Sequence, residues 1–266
     1  MEIHVIIGYV LATVMGLTLG IFGGGGSILS VPILVYVFGI SPILSTAYSL
    51  FVVGIAALVG AIKKHFEKEI AYKIGVLFAI PSILTVYITR RFIIPFIPEN
   101  LFNIGSFTLT KDIGIMIFFA IVMLIAARAM IKERKNTSHK DKDLNIPLLI
   151  GEGVFVGLIT GLVGAGGGFL IVPALVLLVG LSMKEAVATS LVIITLKSLI
   201  GFLGDMGSGQ NIDWNFLLIF TGFAILGMVF GLAISKKVNS KKLKKAFGYF
   251  ILGMAVFIII IEIFNT

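Results

Sequence analysis

Residues 16–41 read GLTLGIFGGGGSILSVPILVYVFGIS, and residues 157–182 read GLITGLVGAGGGFLIVPALVLLVGLS. Setting Gly16 on Gly157 gives an offset of 157 − 16 = 141, and no gap is needed as far as Gly60 and Gly201. Of these 45 paired positions, 18 are identical, among them Gly20 with Gly161, Gly23 with Gly164, Pro32 with Pro173, Ser41 with Ser182 and Ser49 with Ser190. Apolar bias alone would match leucine with valine, but it would not bring glycine, proline and serine into one register. The chain reads as a duplicated unit.

Outside these copies the chain is strongly apolar. Of its 266 residues 58% are hydrophobic and 13% charged, with a mean hydropathy of +1.13. A soluble domain is nearer half apolar and a quarter charged, so the bilayer is the expected solvent. Eight apolar segments approach the roughly 20 residues that a crossing helix needs: 3–22, 45–62, 70–88, 113–130, 146–163, 184–204, 214–235 and 246–264. Two shorter pieces, 27–38 and 168–180, each follow a glycine run. The expected fold is an all-α polytopic membrane protein of two homologous halves, 1–130 and 146–266. Between them lies a basic cytoplasmic linker, 131–145, IKERKNTSHKDKDLN. The first span has no basic n-region or small-residue cleavage site and is expected to stay.

Charge placement orients the halves. If each short piece only re-enters, the halves are parallel, and the basic segments 131–145 and 236–245 fall on opposite sides. If each short piece crosses, the second half is inverted. Lys63, Lys64, Lys68, the 128–142 cluster, Lys184 and the six lysines of 236–245 then lie inside. Only Arg90, Arg91 and Lys111 remain outside, where 205–213 carries no basic residue. The positive-inside rule favours the inverted arrangement. The net charge of +8 is thereby a topology signal, and no nucleic-acid partner is expected.

The glycine runs are the expected substrate site. Gly23, Gly24, Gly25 and Gly26, followed by Ser27, should unwind the helix, as should Gly164, Ala165, Gly166, Gly167 and Gly168, because each glycine costs about 1 kcal/mol relative to alanine. Unwound backbone at membrane depth is tolerated only where protein covers it or a wet cavity lies beside it. A helix restarts after each run, with Pro32 or Pro173 expected in its first turn and unpaired amides facing an anion. Isolated glycines such as Gly54, Gly60, Gly201 and Gly231 are expected to serve close helix packing.

Polar groups inside the spans complete the candidate site. Lys197 lies mid-span and either meets an anion or pairs with Glu152; its counterpart in the first copy is Ala56. Ser49 and Ser190 either donate to an oxyanion or bond a carbonyl one turn back. Arg90 and Arg91 either anchor a span end or attract anions. His4, His65 and His139 show no metal-ligand spacing, and with no cysteine in the chain neither a thiolate site nor a disulfide is available. No cofactor or metal is expected, nor is an enzyme, since no paired carboxylates or nucleophile–base pair lie in the spans.

The duplicated segments GIFGGGGSILSVPIL with STAYSLF, and GLVGAGGGFLIVPAL with AVATSLVII, resemble the TauE/SafE-type sulfite exporter family, also called the toluene sulfonate uptake permease family. The resemblance covers nearly the whole chain. It implies a multi-pass transporter without a prosthetic group, moving sulfite, a sulfonate or a related small anion. An anion channel, or a transporter of a solute without sulfur, is the alternative.

Overall fold

The computed structural model describes residues 3–98, 100–104, 107–132, 146–163, 168–206 and 212–264. Helix α1 (Ile3–Phe22) stops at the first glycine run, and α2 (Ser27–Pro32) restarts after it, widening into a π-turn over Ile33–Val37. Then follow α3 (Pro42–Phe66), α4 (Tyr72–Ile88) with a π-turn at Thr89–Ile93, and the single turn α5 (Ile94–Phe96). After them come α6 (Lys111–Ile131), α7 (Ile146–Val163), α8 (Gly168–Leu177), α9 (Met183–Met206), α10 (Trp214–Lys237) and α11 (Ser240–Phe264). Six of the described helices are long and apolar enough to cross a membrane. The chain is a multi-pass, nearly all-helical membrane protein.

One element lies outside the all-helical expectation. Strands β1 (Asn100–Ile104) and β2 (Phe107–Thr110) pair antiparallel between α5 and α6. The signal was the apolar–polar alternation of Phe107-Thr108-Leu109-Thr110, the period of a strand.

Both copies end their short helix alike. Gly39 and Gly180, 141 residues apart, hold φ of +66° and +85°. The amide of Ile40 donates to the carbonyl of Leu34, and that of Leu181 to Leu175. This left-handed cap requires a residue without Cβ strain.

Close backbone approach sets the helix pairs. A methyl group on Gly227 would sit 1.9 Å from the Thr13 carbonyl oxygen, and one on Gly16 equally close to that of Ala224; Gly231 faces Leu17, and Gly20 faces Met228. Helices α1 and α10 therefore run parallel. Their counterparts behave the same way: Gly153, Gly157 and Gly161 of α7 face Phe78, Ser82 and Thr89 in turn. The long central helices differ. Gly54 meets Leu199, Gly60 meets Leu191, and Gly201 meets Leu50. So α3 and α9, which the 141-residue offset pairs, run antiparallel. Helix α4 runs parallel to α9, from Ala71 N–H on Thr189 Oγ1 (3.0 Å) to Arg90 on Asp205 (2.6 Å). Helix α3 runs parallel to α10, with the Asp213 amide donating to the Tyr48 hydroxyl (2.6 Å) and Gly60 against Met228.

Ion pairs close both of these seams at their ends. Glu67 takes Lys64 at 2.9 Å and Lys236 at 2.6 Å, while Glu69 takes Lys64 at 2.7 Å. At the far end of α9 stands Asp205, whose counterpart is Lys64 (64 + 141 = 205), and it binds Arg90. Arg90 is thereby an anchor, as one of the two sequence readings held.

Replacing Gly227 by alanine should destabilise the protein by about 1–3 kcal/mol, the usual range for overpacking, and thermal unfolding in detergent reads this directly. A second expectation concerns acid. Burial raises the Glu67 carboxyl, but hydrogen bonds and charge from Lys236 and Lys64 outweigh it and hold the carboxyl below its ordinary range. The stabilisation is complete above the unfolded-state value and disappears as pH falls through the lowered folded-state value. Lys236→Met should therefore cost up to about 1 kcal/mol at neutral pH and flatten the fall in melting temperature on acidification.

Candidate substrate site at the helix break

At Gly23–Gly26 the backbone leaves the helix, and all four residues are buried. Gly23 holds φ +73°, with its amide on the Leu19 carbonyl at 2.7 Å. A side chain there would be doubly excluded, because its Cβ would lie 2.7 Å from both Ser190 Oγ and Val187 Cα. Gly24 lies against Gly168: a methyl on Gly24 would come within 2.1 Å of the Gly168 carbonyl oxygen. Gly26 packs on the Met15 carbonyl, and Gly25 under the ring of Phe247. The first run is thus non-helical and covered by protein, and it touches the first residue of α8. Gly164, Ala165, Gly166 and Gly167 lie outside the described residues.

The restart differs from the sequence expectation in two respects. The amides of Ser27, Ile28 and Leu29 do not face an anion; they turn back onto the carbonyls of Gly24, Gly25 and Gly26 at 3.3, 3.3 and 3.1 Å. Glycine carbonyls are unhindered acceptors, so the loop satisfies the helix start itself, as helix termini require. Pro32 and Pro173 are also not in the first turn. Each is the sixth residue of its helix, α2 starting directly after Gly26 and α8 at Gly168 itself.

Serine hydroxyls tie the break to its surroundings. Ser27 Oγ donates to the Gly24 carbonyl at 2.7 Å, and Ser30 Oγ to that of Ser27 at 2.7 Å. Ser49 on α3 bonds the Ser30 hydroxyl. Ser190 on α9 lies within reach of two carbonyls, Val187 at 2.8 Å and Gly23 at 3.2 Å. Of the two sequence readings of Ser190, bonding back one turn is the one present, with a cross-link to the break added. Ser30 was missed because it aligns with Ile171, so the repeat did not mark it.

One face of α9 carries the rest. Val187 and Ser190 touch Gly23, and Ile194 lies 2.5 Å from the Cβ position of Gly168. Lys197 comes next on that face, 1% exposed, its ammonium donating to Thr160 Oγ1 of α7 at 3.2 Å. Lys197 stands about 10 Å beyond Ser190 at 1.5 Å per residue. The expected alternative, an ion pair with Glu152, is not formed. Both Glu152 carboxylate oxygens are buried and without a partner among the described residues, because Thr160 is two turns further along α7. Elsewhere Arg91 is exposed, and His65 meets the Tyr72 hydroxyl. His139 lies outside the described residues, and among these no cluster of metal-ligating side chains occurs.

The profile of the sulfite exporter TauE/SafE family matches residues 9–258. The chain belongs to the TauE/SafE sulfite exporter family. It is 30% identical over 258 residues to YunE of Bacillus subtilis, a probable membrane transporter protein, covering 88% of this chain and 90% of that one. A probable membrane transporter protein of Xylella fastidiosa is 25% identical over 252 residues, with 92% and 91% covered. No solved structure matches significantly. This TauE/SafE protein is a membrane transporter, in a family of permeases rather than enzymes.

The break predicts an order of sensitivity. Gly23→Ala should cost about 2 kcal/mol or more, since the left-handed backbone alone costs roughly 1–2 and three contacts below 3 Å are added, one to Ser190 and two to Val187. Gly25→Ala, which meets the movable Phe247 ring at 2.9 Å and Phe22 and Phe250 at 3.3 Å, should cost less. Melting temperatures of the two variants check the ranking.

Proposed function

We propose that this transporter is a secondary permease for a small anion, with sulfite or a sulfonate as the substrate class, and that Lys197 is the group that meets it. Lys197 carries the reading. A lysine in a membrane span is expensive and marks a substrate or ion path by default. Its partner among the described residues is a hydroxyl, which leaves the positive charge without a counter-ion. The supporting parts are the buried run Gly23–Gly26 with Ser27, Ser190 on the same face of α9, Ser49 behind Ser30, and the second run, Gly164–Gly168.

We read the halves 1–130 and 146–266 as inverted repeats joined by the basic cytoplasmic linker 131–145. The opposed directions of α3 and α9 support this. So do the parallel pairs α4 with α9 and α3 with α10, which parallel halves would reverse. Gly24 meets Gly168, whose first-copy counterpart is residue 27 (168 − 141). Gly54 meets Leu199, whose counterpart is Leu58 (199 − 141). Contacts between near-equivalents lie beside the axis that exchanges the halves. For inverted repeats that axis lies in the membrane plane, which sets the break and Lys197 near mid-bilayer.

The family description supports the anion class, because the matching profile is that of a sulfite exporter. An anion with several acceptor oxygens fits an ammonium flanked by Thr160. The protein in liposomes should show saturable counterflow of sulfite or methanesulfonate, and either anion should raise its melting temperature. Lys197→Met should insert and fold yet lose about tenfold or more in affinity, roughly 1.4 kcal/mol. Unchanged affinity in Lys197→Met would overturn the assignment of Lys197, and unitary currents in place of counterflow would make the protein a channel.

A further inference from the structure

Glu152 and Lys197 are the two described interior charges without an opposite charge beside them, and of the two only Glu152 also lacks a hydrogen bond. It is 9% exposed, and neither carboxylate oxygen has a hydrogen-bond partner among the described residues. Ser82 Oγ and Thr89 Oγ1 are in the same condition, as are Ser198 Oγ on α9 and the Arg90 Nε; Glu152, Ser82 and Thr89 belong to the seam between α7 and α4 with its π-turn. Gly153, beside Glu152, faces the Phe78 carbonyl and Pro81; Gly157 faces the Ser82 carbonyl; the Cβ position of Gly161 lies 3.3 Å from the Thr89 hydroxyl. Between the last two stands Thr160, which takes the Lys197 ammonium. Buried polar groups in native proteins nearly always have a partner, in protein or ordered water. Three orphans in file, ending around the buried lysine, point to a mobile ligand that moves between hydroxyls and carboxyls.

We propose that Glu152 is a proton-binding site coupled to the anion site at Lys197, with the α4–α7 seam as the proton's path. The inference rests on the anion reading given above. Glu152 and Thr160 lie on one buried stripe of α7, eight residues or about 12 Å apart. In the empty site the Glu152 carboxylate balances the Lys197 ammonium at a distance. When an anion occupies the ammonium, a second negative charge in the same low-dielectric interior is unfavourable, and Glu152 takes a proton. When the anion leaves, the proton leaves the carboxyl oxygen for water along the seam. Anion and proton thus bind together and move in the same direction.

Among the described residues no other charge competes at that point. On α4, the residues opposite Glu152 are Phe78 and Pro81, while Tyr72 and Lys73 are exposed at its start and Tyr87 is exposed toward its end. Arg90, in the π-turn packed on the far end of α7, is bound to Asp205, and Arg91 is exposed. On α6, Arg128 is exposed, and α8 carries no titratable residue. From α9 the facing charge is Lys197 itself.

Methanesulfonate is the suitable probe, because its strong-acid group stays ionised and any pH effect belongs to the protein. In proteoliposomes an inward proton gradient should speed methanesulfonate uptake several-fold over equal pH. Glu152→Gln should abolish that acceleration while keeping counterflow at equal pH within about threefold, and Glu152→Asp should restore part of it. Gradient-driven uptake that survives in Glu152→Gln, or that is missing in a wild type with active counterflow, overturns the proposal. A folded wild type without any counterflow would instead remove the anion reading. The proton site is then judged alone by infrared spectroscopy in bilayers. A protonated-carboxyl stretch that titrates in the wild type and is missing in Glu152→Gln supports it, and an unchanged spectrum overturns it.

Discussion

In hydrocarbon an unpaired peptide group finds no water, so a chain that leaves the helix inside a membrane must satisfy its backbone from within the protein. That constraint explains more of this molecule than any side chain does. At Gly23–Gly26 the loop folds its carbonyls onto the amides of Ser27, Ile28 and Leu29. It accepts from the Ser27 and Ser190 hydroxyls, and it presses against Gly168. Only glycine permits both the left-handed turn at Gly23 and the approach of Gly24. The break is therefore held by local bonds and by its contact with Gly168 at the start of α8.

The surrounding helices follow from the same demand for close approach. Between apolar helices in lipid there is no hydrophobic driving force, and contact surface must come from small residues. Gly16, Gly20, Gly227 and Gly231 supply it for α1 with α10, and Gly153, Gly157 and Gly161 for α7 with α4. Charge is divided accordingly. The pairs at the helix ends, Glu67 with Lys64 and Lys236, and Arg90 with Asp205, are complete. Lys197 and Glu152, in the interior, face no opposite charge among the described residues.

Much of this was legible in the residues. The apolar segments match most of the helices to within a few positions because hydropathy marks each span, though α11 starts six residues ahead of the expected 246. The offset of 141 places Gly39 and Gly180 in the same cap and pairs α3 with α9. The packing role of Gly54, Gly60, Gly201 and Gly231 was equally clear, since small residues in apolar helices have few other uses. What escaped depended on three-dimensional neighbours. Nothing in the string says that the Ser27 amide prefers the Gly24 carbonyl, that Lys197 reaches Thr160 before Glu152, or that Ser30 meets Ser49. The pairing of β1 with β2 escapes because its short alternating run lies among apolar spans that dominate the hydropathy.

The central claim is that the two halves lie upside down with respect to each other and so bring their glycine breaks together at one axis. The chain has no native cysteine, which makes site-directed labelling clean. Lys68→Cys, after α3, and Ser208→Cys, after α9, occupy nearly equivalent places in the two copies. With a membrane-impermeant maleimide on intact cells and on inverted vesicles, the account predicts labelling of Lys68→Cys from the cytoplasmic side and of Ser208→Cys from the opposite side. Labelling of both from the same side would contradict it.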